Sequence, residues 1–141
     1  MTTPVRFAYA DAAAGHTDGS RLAYVPIILR HATHVLAVVW LLDTGSTVNV
    51  LPYPLGLQLG LVWERQTTQV QLTGSLARLP ERGVIVSGQV ASFPPVDLAF
   101  AWTQATDVPM ILGQVNFFMA FDVCFFRSQA AFEVKPKGGA S

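Results

Sequence analysis

Along this chain apolar residues come in short runs broken by turn residues, and no apolar pattern at helical spacing survives for more than about ten residues. Strand is therefore the expected state for most of it. Val5–Tyr9 reads as a first short strand, and Asp11–Gly19, with its Asp, Gly and Ser, as a surface loop. Leu22–Arg30 and Val35–Leu42 are rich in Val, Ile and Leu and are separated by His31-Ala-Thr-His34, which predicts a hairpin. Val48–Leu51 follows as a short strand. Thr67–Thr73 alternates, turns at Gly74-Ser75 and returns as Leu76–Pro80, a second hairpin with half-exposed strands. Val84–Val90, Val96–Phe100 and Met110–Leu112 are further strands, and Val123–Phe126 with Ala131–Val134 makes a closing hairpin through Arg127-Ser-Gln129. Two short helices are expected, one over Pro54–Leu59 stopped by Gly60, the other over Gln114–Ala120. The pattern gives one domain over residues 1–134 and a disordered tail over 135–141.

Composition narrows the class. The 141 residues include nine Lys+Arg and nine Asp+Glu, only 13% charged residues and 51% hydrophobic ones, so the chain is not of the disordered kind. No basic cluster is denser than Lys135 with Lys137, which argues against nucleic acid as a partner. The longest apolar run, Val35–Leu42, is too short for a membrane-spanning helix, and the N-terminus lacks the apolar core of a signal peptide. Together with the single cysteine, Cys124, this leads us to expect a soluble protein of the reducing cytoplasm with no membrane partner. Its high apolar content for so few residues points to a surface that meets a partner.

The segment with chemical content is Trp40-Leu-Leu-Asp-Thr-Gly-Ser-Thr-Val-Asn-Val-Leu51. A carboxylate straight after an apolar strand would cost several kcal/mol if buried unpaired, so Asp43 must sit at a strand end near solvent or hydrogen-bond donors. Gly45 allows a sharp turn with exposed amides, and Thr44 and Ser46 offer hydroxyls.

Two hydrophobic residues followed by Asp43-Thr-Gly-Ser46 resembles the active-site signature of pepsin-type and retropepsin-type aspartic proteases. Met110-Ile-Leu-Gly113 with Asn116-Phe-Phe118 is similar to the hydrophobic-hydrophobic-Gly element before that family's short helix, and Val70–Ala77 falls where its flap lies. The resemblance covers roughly Leu22 to Val134. It implies an all-β, retropepsin-like closed barrel with a flap hairpin and one short helix near the C-terminus. It further implies an aspartic endopeptidase acting on a peptide or protein substrate, with Asp43, Thr44 and Gly45 as the catalytic loop. Ser46 would support the acid by donating to its carboxylate, so that Ser46→Ala would move an acidic pH optimum upward. The flap tip would comprise Thr73, Gly74, Ser75 and Leu76, and Ile111, Leu112 and Gly113 would pack beneath the catalytic loop. With one such aspartate per chain, the resemblance implies a homodimer whose two copies of Asp43 share a proton. No metal or organic cofactor is implied. Gln114 and Val115 depart from the family, in which an Arg after the glycine often supports the dimer, and the flap shows one glycine and no tyrosine.

Other residues have plainer readings. Asp43-Thr-Gly45 alone would also suit an ordinary strand-end turn, and phosphate-binding folds with related loops need a longer chain. His31 and His34 are expected on opposite faces, since an odd spacing along a strand separates them, and His16 lies alone in a loop. Cys124, between Val123 and Phe125, reads as a small core residue. Phe117, Phe118, Phe121, Phe125 and Phe126 read as core or dimer contact, while Trp63 and Trp102 are candidates for a substrate cleft or for the core. The rival to an enzyme is a non-catalytic dimerisation or peptide-binding module on the same fold.

Overall fold

The structure is a computed structural model and describes residues 2–11, 21–68 and 81–138. Its strands are β1 (Val5–Ala8), β2 (Ala10–Asp11), β3 (Arg21–Leu22), β4 (Tyr24–His31), β5 (His34–Leu42), β6 (Asn49–Leu51), β7 (Glu81–Val90), β8 (Val96–Thr103), β9 (Ile111–Leu112), β10 (Phe121–Phe126) and β11 (Ala131–Pro136). Helices are short: α1 (Tyr53–Gln58) and α2 (Phe117–Ala120). The fold is all-β, with six strands closing a barrel in the order β4-β5-β9-β6-β8-β7 and a three-stranded sheet, β1-β11-β10, beside it. No helix among the described residues is long and apolar enough to cross a membrane.

Alternation builds the barrel. Along β4, Val25, Ile27 and Leu29 are buried, and on β5 the same is true of Trp40 and Leu42. These side chains meet Val84, Val86, Leu98, Phe100 and Leu112 in one core, where Trp40 packs on Phe100 at 5.2 Å between ring centroids. β4 and β5 pair in the register Tyr24↔Leu41 to His31↔His34, so the predicted hairpin is present. His31 and His34 are cross-strand partners and share a face, because directly opposite residues of an antiparallel pair do so; the expectation of opposite faces counted along one strand across what is really a turn.

Helix α1 follows its sequence signals. Pro54 lies in its first turn, and the chain leaves through Gly60 at φ +75°. Gly60 N–H donates to Leu57 O (3.0 Å) and Leu61 N–H to Gly56 O (3.0 Å), the paired bonds of a Schellman end. A side chain at Gly60 would also strike the His34 ring, which lies over it.

Several expected boundaries move. β8 continues through Thr103, and β11 continues through Lys135 and Pro136, which pair with Asp122 and Phe121 where a disordered tail was expected. The helix expected over Gln114–Ala120 forms only from Phe117, because Val115 is held as a parallel bridge to Val48 and its carbonyl, which a helix begun at Gln114 would give to Met119 N–H, accepts from Asn49 N–H instead. Cys124 is exposed rather than buried: alternation on β10 turns it away from Val123, onto the face that carries Arg6 and Glu133. Of the phenylalanines, Phe117 and Phe121 are buried and stacked at 4.9 Å, whereas Phe125 is exposed. Trp102 is fully buried, stacked on Tyr53 and edge-on to Trp63, so it belongs to the core and not to a cleft. Most of the expected hairpin from Thr67 to Pro80, and His16, lie outside the described residues.

Candidate active site

Strand β5 delivers Asp43 to the rim of the barrel. Its side chain falls on the face of Val39 and Leu41, opposite buried Trp40 and Leu42, and is half-buried while Thr44 and Gly45 are exposed. Gly45 N–H donates to Asp43 Oδ1 (3.0 Å), and Ser46 N–H closes the turn on Asp43 O (3.1 Å). Gly45 does this without left-handed φ, so its amide is what the turn uses.

A second segment holds this loop from beneath. Leu41 N–H donates to Met110 O (2.9 Å) and Asp43 N–H to Leu112 O (3.0 Å), extending the parallel pairing of β5 with β9. Past the loop, residues 46–49 and 113–116 run side by side. Gln114 N–H bonds to Ser46 O (2.9 Å), Val115 N–H to Thr47 O (2.7 Å) and Asn49 N–H to Val115 O (3.2 Å). Gly113 is required at the crossing, since a Cβ there would stand 2.7 Å from Ser46 O and 2.6 Å from Val48 O. Ile111, Leu112 and Gly113, expected under the loop, are therefore there, and all three are buried.

Two asparagines carry this arrangement, and the sequence reading did not single them out as site residues. Asn49 is fully buried; its Oδ1 accepts from Gly113 N–H (2.8 Å) while its Nδ2 donates to Ala99 O (2.9 Å) and Asn116 Oδ1 (3.2 Å). Asn116 Oδ1 also accepts from Ala99 N–H (3.0 Å). The network ties β6, β8 and the β9–α2 link together with amide bonds, the one to Gly113 buried and the others part-buried. The only local hint was an asparagine inside an otherwise apolar strand, Val48-Asn-Val-Leu51.

Two expectations about the loop change. Ser46 Oγ donates to Val48 O (2.7 Å), so its one proton is committed to the backbone and not to the Asp43 carboxylate. Gln114, at the position where an arginine was noted as missing, reaches the loop with a neutral amide: its Nε2 donates to Thr44 O (2.9 Å). Thr73, Gly74, Ser75 and Leu76 lie outside the described residues.

Beside the loop, on the same face of β5, lies a cavity of about 650 Å³ lined mainly by apolar groups, among them Phe7, Tyr24, Leu41, Val108, Pro109 and Met110. Two of its wall residues adjoin the loop: Leu41 is two residues from Asp43, and its N–H donates to the carbonyl of Met110 (2.9 Å). Among the described residues no group of three or more His, Cys, Asp or Glu is arranged to hold a metal ion. In comparisons with known proteins, no family model and no curated protein matches this chain.

Proposed function

We propose that this chain is one half of an aspartic endopeptidase, a retropepsin-like subunit that works as a homodimer and hydrolyses peptide bonds with a pair of Asp43 residues. The observation that carries the reading is an accessible carboxylate on a loop fixed from below by β9, Gly113 and Gln114, two residues along β5 from the wall of a mainly apolar cavity of about 650 Å³. Such an acid is pre-positioned without being buried.

One carboxylate cannot perform the reaction alone. Two copies brought within about 3 Å cannot both ionise cheaply, so they hold one proton between them. The ionised member takes a proton from a water between them, and that water attacks the scissile carbonyl. The protonated member polarises the carbonyl oxygen and later protonates the leaving amine. Thr44, exposed at the loop tip, is in position to meet the second copy, and the apolar cavity receives side chains of the peptide.

The test is cleavage of a mixed peptide library from about pH 3 to 7 by wild type and Asp43→Asn. Wild type is expected to cut at the acidic end, and the variant, which keeps a side chain able to accept from Gly45 N–H, to fold normally while losing about 10³-fold or more of the rate. Peptide binding by a dimeric wild type with no cleavage at any of these pH values would favour the non-catalytic module instead.

A further inference from the structure

The inward positions of β4 and β5 carry apolar side chains until the end of the barrel away from Asp43, where both strands meet their turn with histidine. Val25, Ile27 and Leu29 are buried along β4, and His31 takes the next position of that alternation; on β5, His34 stands in the same alternation as Leu36, Val38, Trp40 and Leu42. The two histidines are direct cross-strand partners, which sets their Cβ atoms about 4.5–5.5 Å apart on one face. Both rings also rest on consecutive residues at the end of α1. His31 Nδ1 is 2.9 Å from Leu59 O, and the His34 ring fills the space that a side chain at Gly60 would need, its Cε1 and Nδ1 standing 2.6 Å and 2.7 Å from where that Cβ would be. A carbonyl oxygen can only accept, so the neutral imidazole of His31 carries its proton on Nδ1 and presents the lone pair of Nε2. Donation of the remote ring N–H to a backbone carbonyl is how metal-ligating imidazoles are commonly oriented.

We propose that His31 and His34 form a binding site for a divalent cation of the nickel, copper and zinc kind, which pins the β4–β5 turn to the end of α1. The site is separate from the two-acid reading and stands or falls without it. Two nitrogens on one tetrahedral ion lie about 3.3 Å apart at metal–nitrogen distances of about 2.0–2.1 Å, within the swing of two rings borne on neighbouring Cβ atoms. Imidazole selects these ions over magnesium and calcium, which take oxygen ligands. Two protein donors leave the rest of the coordination shell to water, so the site is open and exchangeable, unlike a closed structural centre. His34, exposed beside half-buried His31, gives the ion its way in.

The probe is Ni2+ alone, whose paramagnetism broadens the NMR signals of the rings that hold it. The chain has three histidines, and substoichiometric Ni2+ should broaden the ring signals of His31 and His34 together while those of His16 stay sharp. His31→Asn keeps an N–H in the place of Nδ1 for Leu59 O and deletes Nε2. It should bind Ni2+ at least tenfold more weakly by calorimetry, while its melting temperature without metal stays within about 2 °C of wild type. His34→Gln leaves the His31 bond to Leu59 intact and should weaken Ni2+ binding by a similar factor, which keeps the test decisive should His31→Asn fail to fold. Saturating Ni2+ should raise the melting temperature of wild type and of neither variant, a linkage that a purely structural histidine pair would not show. Broadening of His16 alone or of no ring, or an Ni2+ affinity unchanged in either variant, would overturn the proposal.

Discussion

At one end of β5 the chain reverses through Ala32 and Thr33, two exposed residues between His31 and His34; at the other it passes Asp43 into a loop whose partner Gln114 lies 70 residues from Thr44. The first reversal is largely local. It is closed by the ladder of its own hairpin, with a further touch from His31 Nδ1, 2.9 Å from Leu59 O. The second is held by β9, by Gly113, by buried Asn49 and by half-buried Asn116, so the acid cannot shift without disturbing β6, β8 and α2 together. The difference shows what a site needs that a turn does not. Position at a turn is set by neighbours in sequence and tolerates drift, whereas position at Asp43 is set by interlocked backbone bonds between distant segments.

The contrast is broken most directly at Asn49. Replacing it with alanine leaves Gly113 N–H and Ala99 O without their partner in a buried place, at a cost of about 3 kcal/mol. The melting temperature should fall by about 10 °C, and peptide cleavage should fall further than the folded fraction does, because the loop loses its footing. A melt within about 2 °C of wild type would mean that the amide network does not carry the loop.

What the sequence disclosed divides along the same line. The β4–β5 hairpin, α1 with its Gly60 end, and the closing β10–β11 hairpin were legible because each is specified by alternation or by end signals within a few adjacent residues. Asp43, Thr44 and Gly45 were legible as a motif, and Leu112 and Gly113 as its support. Asn49 and Asn116 were not, since a side-chain amide carries no local mark and its meaning lies in partners 50 and 67 residues away. The same reason shortened α2: residues 114 and 115 are held beside Ser46–Val48 in a parallel bridge, and Asn49 N–H takes the Val115 carbonyl that a longer helix would use. Ser46 was misread because a hydroxyl near an acid suggests a bond to it, while the carbonyl of Val48 stood within reach as well.

Ser46→Ala sharpens the comparison by removing one local bond from an otherwise long-range site. Losing the 2.7 Å bond to Val48 O should cost about 1 kcal/mol, a melting shift of about 3 °C. Because the hydroxyl is not donated to Asp43, the pH profile of cleavage should keep its shape and midpoint. A displaced acidic limb, measured on initial rates, would show that Ser46 turns toward the carboxylate during turnover.

The smallest effect belongs to the other end of β5. Ala32 sits at φ +53°, a left-handed conformation that costs an L-residue about 1 kcal/mol or a little more, whereas glycine adopts it freely. Against that gain, glycine adds freedom to the unfolded chain worth about 0.4–1 kcal/mol. The net for Ala32→Gly is a stabilisation of about 0.5 kcal/mol at most, read as a rise of no more than about 2 °C. Cleavage rates should not change, since nothing in the Asp43 loop bonds to this turn. The same exchange of side chain run in reverse at Gly113 would drive a Cβ to within 2.7 Å of two backbone carbonyls, where neither neighbour is a flexible side chain that can move aside. Measured together, a rise at residue 32 and a steep fall at residue 113 would show that one strand joins a tolerant reversal to an intolerant one; equal and small effects at both would dissolve the distinction.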